Sequence, residues 1–104
     1  MVETEPFNGV LIVRPQQDIV ASYVEEFRKE LQMLVEEGHA NLAIDLAGVD
    51  IIDSKGLAVF MMCFKSVTER GGRLRVLTTS ADLQHLFHVT RLDQHFTVAT
   101  ALAD

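Results

Sequence analysis

Two neighbouring stretches decide the fold: Leu42-Ala43-Ile44-Asp45-Leu46 and Asp50-Ile51-Ile52-Asp53-Ser54-Lys55-Gly56-Leu57. The first is a short, nearly continuous apolar run of the kind that forms a buried strand. From Leu57 to Val67 the chain is rich in helix formers and large apolar groups. Asp53-Ser54 therefore falls at a strand-to-helix junction, at the carboxyl end of the strand, where open α/β sheets gather functional groups.

Upstream, Asn8-Gly9 separates Val2-to-Phe7 from Val10-Leu11-Ile12-Val13, the signature of a hairpin whose turn needs positive φ at both central residues. Pro15 withholds a ladder donor and ends the second strand, and Gln16-Gln17-Asp18 form a polar exit loop. From Ile19 the period changes. Val20, Val24, Phe27, Leu31, Leu34 and Val35 recur at three- and four-residue spacing with Glu25, Glu26, Arg28, Lys29 and Glu36 between them, which predicts an amphipathic helix. Ser22 is its expected cap, with Glu25 completing a capping box, and Gly38 its expected terminator.

Downstream, Gly71-Gly72 stops the second helix and Leu74-Arg75-Val76-Leu77 forms another strand. Thr79 or Ser80 caps a third helix, with Asp82 near its positive end and Leu83, Leu86 and Phe87 on its apolar face. Phe96-Thr97-Val98 is a short edge strand. The expectation is a single α/β domain over residues 1–104. Its mixed central sheet joins an antiparallel N-terminal hairpin to parallel βαβ units with right-handed crossovers, and helices pack on that sheet.

A chain of 104 residues with 48% hydrophobic content makes one core, burying roughly 60–70% of its unfolded surface. The longest apolar run, Leu57 to Phe64, is far short of the roughly 20 residues of a membrane helix. The start Met1-Val2-Glu3-Thr4-Glu5 is acidic, unlike a signal peptide, so a cytoplasmic location is expected. A net charge of −6 argues against nucleic acid or an anionic membrane as partner, since both require a basic face. The lone Cys63, mid-helix among apolar neighbours, reads as a packing residue.

Ser54 and Asp53 both suit a helix N-cap, and either could accept from the next turn's amides. Ser54 is also flanked by Asp50 and Asp53, and Gly56 in a helical first turn suggests a close backbone approach, as a docked partner would require. A phosphate on Ser54 would add about −1.5 to −2 charges; the helix's positive end would favour it, while Asp50 and Asp53 would repel it. Lys55 either screens that charge or points to solvent. In the second helix Leu57, Phe60, Met61, Phe64 and Val67 form one stripe that Val59, Met62 and Cys63 extend. Either the helix is buried on most of its circumference, or it leaves a Met-rich patch for a partner near Ser54. His85 and His88 share a helix face, but no further ligand joins them at a metal-site spacing, and Ser54 lacks a base or nucleophile-elbow pattern in sequence; no metal, cofactor or catalytic residue is expected.

Leu46 to Leu57, together with the order of elements over essentially the whole chain, resembles the STAS domain family, and within it the free-standing anti-sigma factor antagonists. Asp53-Ser54-Lys55-Gly56-Leu57 matches the family pattern Asp-Ser-Ser-Gly-Leu, whose first serine is phosphorylated, and Ser54 is the matching residue. The tail Leu92-Asp93-Gln94-His95-Phe96-Thr97-Val98 is similar to the family's last strand. The resemblance implies a non-enzymatic switch protein. Unphosphorylated, it would bind an anti-sigma factor that is also a serine kinase and so release the sigma factor; a metal-dependent serine phosphatase would reset it. The expected interaction surface is Asp50, Asp53, Ser54, Lys55, Gly56 and Met62. Two departures stand out: Lys55 replaces the second serine, and Gln17-Asp18-Ile19-Val20 lacks a glycine and an acid of the family's run before the first helix. The resemblance also allows an accessory or scaffold subunit of a phospholipid-transport ABC system or of a stress-sensing complex. It implies a monomer, with the apolar surface of the second helix leaving a dimer open.

Overall fold

A computed structural model describes residues 2–102; Met1 of the acidic start and residues 103–104 at the end of the expected domain lie outside the described residues. Asn8 and Gly9 take up φ of +50° and +81°, so the backbone reverses tightly and pairs β1 (Val2–Phe7) antiparallel with β2 (Val10–Pro15). The remaining strands, β3 (Asn41–Asp45), β4 (Arg73–Leu77) and β5 (Thr97–Ala99), add in parallel. The sheet order is β1-β2-β3-β4-β5. Each parallel step advances by one strand, and α1 (Val24–Glu36), α2 (Ser54–Glu69) and α3 (Ala81–Val89) pack on the same face, all three contributing to one core. This is the expected mixed α/β sheet with its helices.

The strands alternate accordingly. Leu11, Val13, Leu42, Ile44, Leu74 and Val76 point into the helix-covered core, and Ile12, Ala43 and Leu77 form a small cluster on the other face. Arg14 bridges that other face, bonded to Glu5 at 2.7 Å and Asp45 at 3.1 Å. The centre of the main core is the ring of Phe60, which meets Phe87 edge-on at 5.4 Å, Phe27 at 5.9 Å and Phe96 at 6.4 Å between centroids. Cys63 lies one turn further along α2, and burial pushes its thiol pKa up to about 12. No helix among the described residues is long and apolar enough to cross a membrane.

Two expectations are corrected. The first helix does not begin on a Ser22 capping box. Ile19 and Tyr23 are both buried, so residues 20–23 close a turn, with Tyr23 and Val24 N–H both donating to the Val20 carbonyl. Tyr23 takes the N-cap position without a side-chain cap, and Ser22 stays exposed. The tail is also not extended from Leu92: Leu92–Gln94 is a 3₁₀ turn that seats Leu92 and Phe96 in the core, and the last strand starts at Thr97.

The loop entering α1 is tied to the loop entering α2. Ile19 forms an isolated parallel bridge with Ile52, its N–H donating to the Ile51 carbonyl at 2.9 Å while its carbonyl accepts from Asp53 N–H at 3.1 Å. Asp18 reinforces this, one carboxylate oxygen accepting from the N–H groups of Asp50 at 2.8 Å and Ile51 at 3.1 Å. Asp18→Ala leaves both amides without that acceptor and is expected to lower unfolding free energy by about 1–3 kcal/mol, with faster hydrogen exchange at residues 50 and 51. Denaturant melts and amide exchange check this. For Cys63, a thiol reagent at pH 8 is expected to label the native chain negligibly and the unfolded chain stoichiometrically; rapid native labelling would show that the α1–α2 packing opens readily.

Candidate functional site

The junction between β3 and α2 is assembled from four successive residues with separate tasks. Asp53, in extended conformation, is the N-cap: its Oδ1 accepts from Gly56 N–H at 2.9 Å, and its Oδ2 accepts from Ala21 N–H at 2.9 Å. One carboxylate thus caps α2 and holds the loop that leads into α1. Of the two capping candidates, the structure selects Asp53.

Ser54 is released from structural duty as a result. It is the first residue of α2, exposed, and its hydroxyl makes no hydrogen bond among the described residues. The first-turn N–H groups of Gly56 and Leu57 are taken by the Asp53 side chain and carbonyl, while those of Ser54 and Lys55, at the positive end of the helix, have no acceptor among the described residues. Lys55 is exposed and in no ion pair among the described residues. The Asp50 side chain is likewise exposed and unpaired, its backbone having been tied down by Asp18.

Gly56 is the one expected contact residue that the structure moves elsewhere. It is buried, and a Cβ there would lie 2.6 Å from the Ile19 carbonyl oxygen and 2.8 Å from an Ile52 methyl. The close backbone approach inferred from this glycine is real, but it is made with the protein's own Ile19 rather than with a partner.

Met62 is half-buried on the side of α2 that faces α1. There a shallow depression of about 300 Å³ is lined by Val24, Arg28, Lys55, Ala58, Val59 and Met62. It runs towards a second hollow of about 420 Å³ that Met62 shares with Leu31, Val35, Cys63, Ser66 and Arg70. Helix α2 is buried over most of its circumference by Val59, Phe60, Cys63 and Val67, with Leu57, Met61, Met62 and Phe64 partly covered. The structure therefore unites Asp50, Asp53, Ser54 and Lys55 at one end of the α1–α2 groove and puts Met62 along it.

One residue of this region escaped the sequence reading. Ile51 is 57% exposed, while Ile52 beside it is 6% exposed and packed in the core. A pair of adjacent apolar residues in extended chain carries the available signal, because successive side chains point to opposite sides and only one can enter the core. Two of the histidines are engaged elsewhere: His88 pairs with Asp93 at 3.0 Å and His95 packs on the Phe64 ring. Among the described residues no three His, Cys, Asp or Glu side chains converge as a metal site would require.

Comparison with known proteins adds the following. The Bacillus subtilis anti-sigma-B factor antagonist is 43% identical over 65 residues, covering 62% of this chain and 59% of that protein, so the match spans less than two thirds of the relative's length. Among solved structures, the Thermotoga maritima protein TM1081 superposes with a TM-score of 0.90 at 20% identity, covering 97% of this chain and 87% of that one. The Bacillus cell fate determinant SpoIIAA, in its phosphorylated form, superposes with a TM-score of 0.72 at 17% identity over 96% and 92% of the two chains. The fold is shared with both. The STAS domain family model matches residues 1–104, and the chain belongs to the STAS domain family.

Proposed function

We propose that this chain is an anti-sigma factor antagonist: a binding protein without catalytic activity of its own, working in the cytoplasm as a monomer. In this reading Ser54 is the phosphoacceptor. With Ser54 unmodified the chain binds an anti-sigma factor that is also a serine kinase, and the sigma factor is freed. Transfer of a phosphoryl group to the Ser54 hydroxyl ends that partnership, and a serine phosphatase restores it. The observation that carries the reading is the exposed hydroxyl of Ser54, unbonded among the described residues and held on a junction whose capping work is done by Asp53. The relative named an anti-sigma-B factor antagonist, and the fold shared with a protein known in phosphorylated form, support it.

The electrostatics give the direction of the switch. The phosphate would bring about −1.5 to −2 charges to a surface that already carries Asp50 and Asp53. The helix dipole, with the Ser54 and Lys55 N–H groups that have no acceptor among the described residues, favours it by about 0.3–2 kcal/mol, so the modified chain keeps its fold. A partner packed against the same few residues has no comparable compensation, since it must accommodate both a bulky group and added negative charge. Lys55, where the family pattern has serine, offsets part of that charge and removes a second hydroxyl, so that one position alone serves as acceptor. Val20, where the family run has an acid, makes the neighbouring surface more apolar. Asp50, Asp53, Lys55 and Met62 are assigned to the docking face, the first three around Ser54 and Met62 along the α1–α2 groove.

The test uses the anti-sigma serine kinase that co-purifies with the tagged chain from its native cells. Labelled ATP and intact-mass mapping are expected to place one phosphate on Ser54 and none on Ser54→Ala. Ser54→Asp is expected to melt within a few degrees of the wild type and to bind the kinase at least tenfold more weakly in titration. Equal affinity of Ser54→Asp and wild type would sink the proposal. A chain unmodified in every condition, and found with a transport ATPase instead, would assign it to an accessory subunit.

A further inference from the structure

We infer that Ile51 is the specificity-determining anchor of the docking face, inserting into an apolar socket on the kinase partner and setting that partner's register over Ser54. This rests on the reading of Ser54 as the phosphoacceptor.

An exposed aliphatic side chain by itself is ordinary. Ile51 is distinguished by how it is held and where it stands. Its N–H donates to the Asp18 carboxylate at 3.1 Å and its carbonyl accepts from Ile19 N–H at 2.9 Å, so both backbone polar groups are satisfied within the protein. Ile52 is anchored in the core on the opposite side of the same extended segment, which forces Ile51 outward. The side chain is thus presented at 57% exposure on a backbone that cannot swing away. A partner that buries it spends little on ordering it, the condition under which an apolar contact contributes most of its transfer energy to affinity.

The position matters equally. Ile51 precedes Ser54 by three residues, between Asp50, whose carboxylate is exposed and unpaired among the described residues, and the capping Asp53. Val20, half-buried, follows the Ile19 that pairs with Ile52 and so lies in the adjoining segment. An apolar projection beside an unpaired carboxylate fits a partner surface with an apolar socket and a basic rim. Such a site would read Ile51 by shape and Asp50 by charge, and would bring its phosphate donor to the hydroxyl of Ser54. The other large exposed apolar groups, Phe7, Met33 and Val89, are on the hairpin tip, on α1 and at the end of α3.

Titration of the co-purified kinase against Ile51→Ala, Ile51→Leu and Met33→Ala tests the inference, with thermal melts of each. Ile51→Ala is expected to bind tenfold or more weakly than wild type and to be phosphorylated more slowly at sub-saturating kinase, recovering at saturation. Ile51→Leu should keep most of the affinity, and Met33→Ala, as exposed but remote from Ser54, should match wild type. All three should melt within a few degrees of it. Ile51→Ala binding within twofold of wild type would overturn the anchor, as would an equal loss in Met33→Ala. Ser54→Asp in the same titration reports on the phosphoswitch separately: its loss of binding beside an unaffected Ile51→Ala would leave the switch standing and remove the anchor.

Discussion

The arrangement of this site depends on the contact between Ile19 and the start of α2. Ile19 has no accessible surface, and it engages the β3–α2 junction through every part it has: its N–H bonds to Ile51, its carbonyl accepts from Asp53, and carbonyl and side chain together fill the space a Cβ on residue 56 would need. Leu46, Val49 and Ile52 seat the segment 46–53 in the core, and the Ile19 contact fixes its far end, residues 51–53, against the loop before α1. With it, the loop before α1 and the loop before α2 act as one rigid unit, stitched at one end by Asp18 and at the other by Asp53. The glycine at 56 is therefore a requirement of packing between two loops, and the direction in which α2 leaves the sheet follows from it.

This coupling explains which parts of the molecule could be read from the chain. The Asn8-Gly9 turn, a cap at Thr79 or Ser80 and the Gly38 and Gly71 stops are decided by a few adjacent residues, so local rules suffice to place them; the cap falls to Ser80, whose Oγ accepts from Leu83 N–H, and both glycines sit at positive φ. The strand from Asn41 was legible as a short, nearly continuous apolar run, and the strand from Arg73 because Leu74 and Val76 alternate with Arg73 and Arg75, so that one face enters the core. Ser22 misled because the capping-box rule is equally local, whereas the start of α1 is determined by the burial of Ile19 and Tyr23, which local sequence does not report. The final strand slipped by one residue for a similar reason: Phe96 is drawn into the aromatic group around Phe60, and the chain must turn before it can extend.

The site itself was legible in its centre and not at its edges. Asp53-Ser54 announced itself through position and residue type, and both are where the strand-to-helix reading put them. What distinguishes their roles is invisible along the chain, since Ser and Asp are nearly equivalent caps. The aspartate is distinguished by accepting twice, from Gly56 N–H and from Ala21 N–H 32 residues away, which the single oxygen of a serine at that position could not do across both loops. Likewise Ile51 and Ile52 are interchangeable in sequence, and the bridge to Ile19 decides which one faces the core.

The division of labour between Asp53 and Ser54 bears directly on what a modification at this junction can do. Had Ser54 been the cap, a phosphate there would have replaced its hydroxyl with a larger, charged acceptor at the first-turn amides, and its effect would have entered the geometry of the α2 terminus itself. Because the cap, the inter-loop bond and the packing of Gly56 all bypass the Ser54 hydroxyl, a charge added to it meets solvent, the first-turn amides, Lys55 and the neighbouring carboxylates. Its consequence is confined to whatever touches that surface. Such confinement is a physical requirement for a reversible interaction switch in so small a domain, where a loss of even a few kcal/mol would approach the whole margin of stability.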